Sequence, residues 1–160
     1  MFKRSMSTPL GPLVLEVEDG YLTQAQFSEE DPGESDDDPV LVQAEAQLRQ
    51  YFKGELEEFD LPLRPHGTDF DQKVWTELKE VPYGRTSTYG FLANKLENPG
   101  AIRAVGRANG RNPLAIIVPC HRIIGSDGKL TGYAGGLRRK HWLLQHEQSK
   151  RGGVQGNLFG

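Results

Sequence analysis

The 160-residue sequence contains a single cysteine and no long apolar run. One cysteine cannot form a disulfide within the chain and excludes a cysteine-rich zinc site. The four histidines, at positions 66, 121, 141 and 146, also lack the spacing of metal ligands. No stretch approaches the roughly 18 apolar residues of a membrane span, and the first residues are too polar for a secretory signal. We therefore expect a cytoplasmic protein with no metal site and no membrane segment.

Acidic residues become scarce in the second half of the chain. Residues 1–66 contain 15 acidic and 5 basic side chains, whereas residues 67–160 contain 7 acidic and 14 basic ones. Beyond Gly100, only Asp127 and Glu147 oppose ten lysines and arginines. A basic surface of this kind attracts a polyanion such as DNA. A chance bias between two ordinary solvated surfaces would give the same counts. The charge distribution alone therefore does not establish DNA binding.

The first 66 residues have the pattern of a small α/β domain. Leu13–Val17 and Tyr21–Phe27 are predicted strands joined by a Gly-containing turn, and Glu29–Asp38 is a predicted acidic surface loop. Apolar residues at helical spacing predict a helix at Val40–Phe52. Alternating apolar residues within Glu55–Arg64 suggest a further strand.

Residues 67–150 are organised as helices. Thr68 is a predicted cap for a helix that ends before Pro82, and Thr86 or Ser87 is a predicted cap for the next helix. A third helix is predicted at Ala101–Ala108. The last two form a helix-turn-helix candidate with Arg103 on the second helix, although an ordinary helical hairpin has the same pattern.

Two segments complete this part of the chain. Leu114–Val118 is a short apolar run that we expect to be buried, and Leu137–Glu147 is a predicted closing helix. Our predicted division is thus an α/β domain at 1–66, a DNA-binding and catalytic domain at 67–150, and a flexible tail at 151–160.

The segment Val118-Pro119-Cys120-His121-Arg122 contains the strongest chemical signal. A lone cysteine is more often a small buried apolar residue than a nucleophile. Here Pro119 restricts the backbone before it, and His121 and Arg122 are groups that favour a thiolate over a thiol. Glu147 is a candidate to orient the imidazole, or else an ordinary helix-surface carboxylate. We interpret Cys120 as a catalytic nucleophile.

Several segments together resemble one family. Pro119-Cys120-His121-Arg122, with Asn112-Pro113 before it and Thr131–Leu137 after it, is similar to the active-site signature of the O6-alkylguanine-DNA alkyltransferases. Arg103–Gly106, Tyr89 and Trp142–Glu147 match the same family at corresponding spacing. The resemblance covers about Thr68 to Glu147. It implies an α/β (α+β) fold, with an N-terminal ribonuclease H-like strand–helix domain followed by a winged helix-turn-helix alkyltransferase domain.

The resemblance implies a catalytic role for five residues. Cys120 would take the alkyl group from guanine O6 by in-line displacement and keep it as a thioether. His121 would accept the thiol proton through a water, and Glu147 would hold the imidazole. Tyr89 would hydrogen-bond the flipped guanine, and Asn112 would hold the active-site turn.

Two further sets follow from the same resemblance. The DNA-binding set, led by Arg103 entering the base stack, is Arg103, Ala101, Ile102, Arg107 and Arg122. The substrate-pocket set is Ile123, Tyr133, Ala134, Gly135 and Ala115, and the carbonyls of Cys120 and Ile123 would read the guanine amine. Ala134 and Ala115 stand where some relatives have serine and proline, and the first domain lacks the cysteine of zinc-containing relatives.

The implied activity is irreversible, single-turnover transfer of an alkyl group from O6-alkylguanine, and from O4-alkylthymine, in duplex DNA bound through its minor groove. Such a suicide enzyme needs no cofactor and is expected to be a monomer. Three rivals stay open: a non-enzymatic lesion binder, a DNA-binding redox regulator and a cysteine hydrolase. Separately, Gln155–Phe159 resembles the Gln-x-x-Leu-Phe motif that binds the bacterial sliding clamp, and its alternative is a disordered end.

Overall fold

The computed structural model describes residues 1–29 and 35–150, without the side chain of Lys150. These residues form two compact units. The first contains Met1–His66 and Pro113–Ile117, and the second contains Gly67–Asn112 and the chain from Val118 onward. The predicted boundary after residue 66 coincides with the end of the first segment. The grouping of Pro113–Ile117 with the first unit was not expected from the sequence. The predicted tail lies outside the described residues.

The first unit contains a three-stranded antiparallel sheet in the order β1-β2-β3. Its strands are β1 (Phe2–Thr8), β2 (Gly11–Glu18) and β3 (Tyr21–Phe27). The two predicted strands are confirmed. Asp19 and Gly20 have φ angles of 51° and 80° between β2 and β3, as a tight hairpin turn requires. We missed β1, because charged residues obscure its strand pattern. The strand is defined by its pairing with β2, which the sequence of β1 alone does not reveal.

One helix covers this sheet, and one predicted strand is wrong. Helix α1 (Pro39–Phe52) confirms the prediction, begins at the Asp38 cap, and buries Leu41, Ala44, Leu48 and Tyr51. The predicted strand at Glu55–Arg64 reduces to a single bridge between Leu63 and Leu22. The reason is that Pro62 has no N–H to donate, so a regular ladder cannot extend through it.

The second unit begins with three short helices. Helix α2 (Asp69–Leu78) starts with the predicted Thr68 cap, which forms a reciprocal capping box with Asp71. Helix α3 (Tyr89–Lys95) is capped by Thr88, not by the predicted Thr86 or Ser87. The difference arises because Ser87–Thr88 forms a short strand, β4, which is parallel to β5 (Ile123–Ile124).

Helix α4 (Ile102–Gly110) follows a single turn of 3-10 helix at Pro99–Ala101. We predicted this helix at Ala101–Ala108, and it continues for two further residues, Asn109 and Gly110. The indole of Trp75 on α2 donates a 2.8 Å hydrogen bond to the Ala108 carbonyl. This bond fixes α4 against α2.

The last helix, α5 (Leu137–Lys150), confirms the predicted closing helix and extends it by three residues. The apolar run before the cysteine is also buried as predicted, with Leu114, Ile116, Ile117 and Val118 at 7% exposure or less. Ile116 has a φ of 72°. A β-branched residue in this left-handed region is strained.

Candidate active site

Cys120 begins a 3-10 turn, Cys120–Arg122, and is 5% exposed. Two amides fix the backbone around it. The Asn112 Nδ2 donates to the Val118 carbonyl at 2.8 Å, and the Asn109 Nδ2 donates to the Cys120 carbonyl at 3.4 Å. Asn112 thus contacts the backbone just before the turn, and its predicted role in holding the active site stays a prediction. Asn109 was missed, because an Asn-Gly pair in sequence indicates a turn and not a buried amide.

Burial raises the pKa of the Cys120 thiol above its ordinary value. A hydrogen bond with Asn112 and the positive charge of Lys140 act in the opposite direction, but burial is the larger effect. The cation that favours the thiolate is therefore Lys140, and not the adjacent Arg122 that the sequence suggested. A thiol with a raised pKa stays protonated at neutral pH, so a reaction at Cys120 needs a base.

His121 lies against Glu147 in the interior of the second unit, and both residues have 0% exposure. The His121 Nε2 is 2.7 Å from the Glu147 Oε2. Burial lowers the pKa of His121, more than the attraction of Glu147 raises it. Burial would raise the pKa of Glu147, but the hydrogen bond with His121 and the hydrogen bonds and positive charge of Arg122 hold this pKa well below its usual value.

These protonation states define the tautomer of His121. A neutral imidazole beside an ionised carboxylate carries its proton on Nε2 and donates it to Glu147. The other ring nitrogen, Nδ1, is then a free acceptor, and it has no hydrogen-bond partner among the described residues. The arrangement provides a buried, neutral base whose orientation is fixed by a carboxylate.

Arg122 is buried, which argues against its predicted contact with DNA. Its Nε donates to the Glu147 Oε1 at 2.8 Å, and its Nη1 donates to the Val81 carbonyl at 2.7 Å. With 6% exposure, the guanidinium cannot reach a phosphate. We correct the prediction: Arg122 compensates the buried charge of Glu147, because an unpaired carboxylate in the interior would be very costly.

An open pocket of about 750 Å³ lies beside α4 in the second unit. Of the predicted site residues, Tyr89, Ile102, Tyr133 and Ala134 line it. Ile123, Gly135 and Cys120 are not among its lining residues. The Thr131 Oγ1 donates to the Tyr89 hydroxyl at 2.9 Å, a contact that the sequence did not predict. Ala115 belongs to the first unit, and its place in the pocket stays a prediction.

The helix pair α3–α4 presents a mixed surface to solvent. Helix α4 buries Val105 and Ala108, whereas Ile102 is 48% exposed and Arg103 and Arg107 are exposed. Ala101 is half-buried just before the helix. An apolar residue flanked by cations on an exposed helix start is suited to a nucleic-acid groove.

Lys140 is the main site residue that we missed. It is fully buried, and its ammonium group donates to the carbonyls of Ile123 and Thr131. A signal was present in the sequence, because position 140 shares a helix face with the buried Leu143, Leu144 and Glu147. Its place in the basic run Arg138-Arg139-Lys140 suggested a solvated residue instead.

Within residues 1–29 and 35–150, no group of three or more His, Cys, Asp or Glu side chains is arranged to hold a metal ion. Across the same residues, none of the helices is long and apolar enough to cross a membrane.

The fold and site thus combine a sheet-containing unit with a second unit that has a helix pair exposing basic residues and a buried Cys–His–Glu set. Two family models match the chain: the 6-O-methylguanine DNA methyltransferase ribonuclease-like domain at residues 1–65, and the DNA-binding domain of the same family at residues 69–149. The chain therefore belongs to the 6-O-methylguanine DNA methyltransferase family. This match also confirms the expected order of a ribonuclease-like domain followed by a DNA-binding domain.

Similar proteins match over nearly the whole length. A methylated-DNA–protein-cysteine methyltransferase of Mycobacterium tuberculosis is 49% identical over 152 residues, which are 92% of each chain. One from Methanosarcina acetivorans is 47% identical over 93% of this chain and 99% of its own. The crystal structure of Mycobacterium tuberculosis OGT in complex with DNA matches with a TM-score of 0.86 and 49% identity, covering 94% of both chains.

Proposed function

We propose that this protein repairs DNA by transferring the alkyl group of O6-alkylguanine to Cys120, once per molecule. The observation that carries the proposal is a buried Cys120 that is followed in the chain by His121, a buried neutral base whose Nε2 is 2.7 Å from the Glu147 Oε2. The relatives in Mycobacterium and Methanosarcina, named as methylated-DNA–protein-cysteine methyltransferases, support the same reaction.

The chemistry follows from these protonation states. The His121 Nδ1 takes the thiol proton through a water, and the Cys120 Sγ attacks the alkyl carbon as the carbon–O6 bond breaks. Tyr89 passes its hydroxyl proton to the departing guanine, which leaves as a neutral base, and the proton held by His121 is returned to Tyr89 through solvent. A thioether is a very poor leaving group, so Cys120 is not regenerated. Neither a metal nor an organic cofactor takes part in any of these steps.

We propose that duplex DNA binds to α4 through its minor groove. A base inside the stack is out of reach of a buried thiol, so the damaged nucleotide must be flipped out. Arg103 would fill the vacated space, while Ala101 and Ile102 line the groove and Arg107 contacts the backbone. The Mycobacterium tuberculosis relative has been crystallised in complex with DNA, which supports the proposal that this chain binds DNA.

Guanine recognition is assigned to carbonyls and to the pocket wall. The carbonyls of Cys120 and Ile123 would accept from the guanine amine, in addition to the bonds that the Cys120 carbonyl accepts from Asn109 and the Ile123 N–H and that the Ile123 carbonyl accepts from Lys140. The wall would consist of Tyr133, Ala134, Gly135 and Ala115. Because alanine offers no hydroxyl, only the backbone N–H at position 134 is left to contact O6. We include O4-alkylthymine as a second substrate.

The direct test is an intact-mass measurement after incubation with a duplex that contains one O6-methylguanine. We expect one added methyl group, mapped to Cys120, and none in Cys120→Ala. The three rivals give different results. Tight binding without a mass change indicates a lesion binder, repeated turnover of an ester or amide indicates a hydrolase, and a mass change only after oxidation indicates a redox regulator.

Base flipping has its own test, with a matched control on the same helix. Arg103→Ala should slow transfer from duplex DNA far more than transfer from the free base, because only the duplex requires the vacated space to be filled. Arg107→Ala should weaken duplex binding with little effect on flipping. Equal losses on both substrates for Arg103→Ala would contradict the role of Arg103.

The sequence of the tail leads to a second proposal, which concerns a protein partner. We propose that Gln155–Phe159, which lies outside the described residues, binds the sliding clamp and brings this monomer to DNA in the cytoplasm. A pull-down with purified clamp should lose the protein when Leu158 and Phe159 are changed to Ala. Retention of clamp binding after deletion of residues 153–160, or no binding by the full chain, would contradict the proposal.

A further inference from the structure

A groove on the second unit is lined by residues between Glu77 on α2 and Lys95 on α3, and we call it the α2–α3 groove. It has a volume of about 580 Å³, and among the described residues none lines both this groove and the pocket beside α4. Binding pockets in proteins have volumes of about 300–1,000 Å³. The alkyl transfer proposed above uses no part of the α2–α3 groove.

The apolar residues that line the α2–α3 groove differ in exposure. Val81 and Leu92 are buried, at 8% and 1% exposure, whereas Phe91 on α3 is 58% exposed. Pro82 is exposed as well. Exposed aromatic side chains next to a concave apolar surface are typical of interaction sites. The groove is therefore suited to bind an apolar side chain.

Hydrogen bonds fix the segments that line the α2–α3 groove. The Val81 carbonyl accepts a 2.7 Å bond from the Nη1 of the buried Arg122. Thr88 caps α3 by accepting from the Phe91 N–H at 3.1 Å. A groove that is already ordered loses little conformational entropy when a side chain binds in it, which favours binding.

The last described turn of α5 lies beside the α2–α3 groove. The Gln148 Nε2 donates a 2.6 Å hydrogen bond to the Gly84 carbonyl, and the Gly84 N–H donates to the Glu147 Oε1 at 3.4 Å. Gly84 is two residues away from both Pro82 and Thr86, which line the groove. The chain therefore leaves α5 close to this groove.

Ten residues follow α5, and Leu158 and Phe159 are the largest apolar side chains among them. Leu158 is eight residues beyond the last residue of α5. At about 3.3–3.6 Å per extended residue, it can lie up to about 26–29 Å from the end of the helix. A segment that is attached next to its binding site has a high effective concentration there, so that weak contacts are sufficient.

The charges of the α2–α3 groove and of the tail are complementary. Glu77 and Glu80 line the groove, and Lys95 is the only cation among its lining residues. Arg151 is the only charged side chain within residues 151–160. A net negative groove attracts a positively charged segment and disfavours an acidic one.

We propose that residues 151–160 dock onto the second unit of the same chain, with Leu158 and Phe159 in the α2–α3 groove beside Phe91. The position of the end of α5, the length of the tail and the charges all favour this segment as the occupant. The same two side chains form the apolar part of the proposed clamp motif, so the groove and the clamp compete for them. The competition rests on the clamp interaction proposed above, whereas the docking does not.

The first test compares the amide NMR spectra of ¹⁵N-labelled full chains. Changing both Leu158 and Phe159 to Ala should shift the amide signals of residues 86–95, because the docked phenylalanine ring no longer affects them. Asn157→Ala is the control in the same segment and should leave those signals in place. The proposal is wrong if the double variant changes only the signals of the tail and of the end of α5.

The second test changes the groove instead of the tail. Phe91→Ala should move the amide signals of Leu158 and Phe159 to their positions in a synthetic peptide of residues 151–160. Phe2→Ala makes the same change at a phenylalanine that is 48% exposed in the first unit, and it should leave the tail signals unchanged. Both variants should fold, because each replaces an exposed side chain. Tail signals that do not respond to Phe91→Ala contradict the proposal.

Mixed samples distinguish docking within one chain from docking between two chains. Unlabelled wild-type chain, added at micromolar concentration to the ¹⁵N-labelled double variant, should leave the signals of residues 86–95 unchanged. Shifts that grow with the concentration of the unlabelled chain would show that the groove binds the tail of a second copy. That result would overturn docking within the chain.

The competition is measured by the affinity for purified clamp. Phe91→Ala should bind the clamp about fourfold more tightly than wild type if about three quarters of wild-type tails are docked, because only free tails are competent to bind. Gln155→Ala should weaken clamp binding and leave the signals of residues 86–95 unchanged. Equal clamp affinities of wild type and Phe91→Ala contradict the competition. If the spectra show docking but no variant binds the clamp, the proposed clamp interaction fails and the docking stands.

Discussion

The two units of this protein bury different kinds of residue. The interior of the first unit is apolar, and its main ion pair, between Arg4 and Glu45, lies where both side chains remain 17–23% exposed. The second unit buries a set of ionisable residues at 6% exposure or less. They are Asp71, Cys120, His121, Arg122, Lys140 and Glu147.

This difference indicates what each interior is for. An apolar core gains free energy from burial alone. A buried charge loses hydration and depends on its partners for compensation, so replacement by apolar residues is often neutral or stabilising. The ionisable residues around Cys120 therefore do not optimise stability. They define a protonation state, which is what a reaction at a buried thiol requires.

The largest expected effect comes from Glu147→Gln. This change keeps the shape of the side chain but leaves Arg122 buried without a counter-charge, and it allows the His121 ring to lose its orientation. We expect a destabilisation of about 3–5 kcal/mol and a loss of about a hundredfold in the rate of alkyl transfer. Urea unfolding and single-turnover kinetics with an O6-methylguanine duplex measure the two effects.

Its control is Glu45→Gln in the first unit. The Arg4–Glu45 pair is 2.7 Å long but partly solvated, so its loss should cost only about 0.2–1 kcal/mol. The transfer rate should not change. Equal destabilisation by the two variants would show that the buried pair is no more important than an exposed one.

Leu15→Ala tests the apolar interior of the first unit. Leu15 is on β2 and has 0% exposure, so its truncation leaves a cavity and should cost about 2–5 kcal/mol. Because the residue has no role in the chemistry, the transfer rate per folded molecule should stay within about twofold of wild type. A much larger loss of rate, measured below the melting temperature, would show that the two interiors are coupled.

The sequence predicted the elements that local patterns define. Such patterns depend on neighbours only a few residues away. Examples are the strands at Leu13–Val17 and Tyr21–Phe27 and the helix cap at Thr68. In contrast, β1 and the return of Pro113–Ile117 to the first unit depend on pairing over long distances. The predicted strand within Glu55–Arg64 was wrong because of a proline. Its apolar residues alternate as in a strand, but Pro62 interrupts the hydrogen-bond ladder.

The site shows the same difference between features set by local sequence and features set by distant contacts. Cys120 and His121 were identified because they are adjacent in sequence, and the resemblance to a family connected them with Glu147, which is 26 residues away. The exposure of Arg122 and the importance of Lys140 were misjudged. A cation next to other cations in sequence gives no sign that it is buried, since burial is decided by the partners that the fold supplies.

The third prediction concerns the free energy of unfolding at acidic pH. The pKa values of His121 and Glu147 are both lowered in the folded protein, so the unfolded chain binds more protons as the pH falls. Stability should decrease first below pH 6.5 through His121 and then below pH 4.5 through Glu147. We expect a loss of about 1 kcal/mol between pH 7 and 5.5. Urea unfolding should show a flatter dependence in His121→Gln, and an identical slope would contradict this assignment.

The smallest expected effects are at the helix caps, where the two units should behave alike. Asp38 caps α1 in the first unit and Thr68 caps α2 in the second, each by accepting from a backbone N–H. Asp38→Ala and Thr68→Ala should each cost about 1 kcal/mol, measured by urea unfolding. Asp71, the other member of the Thr68 capping box, keeps its 2.6 Å ion pair with Arg111, so Thr68→Ala should not leave a buried charge unpaired. A cost for Thr68→Ala that approached the cost of Glu147→Gln would mean that even the helix starts of the second unit depend on its buried charges.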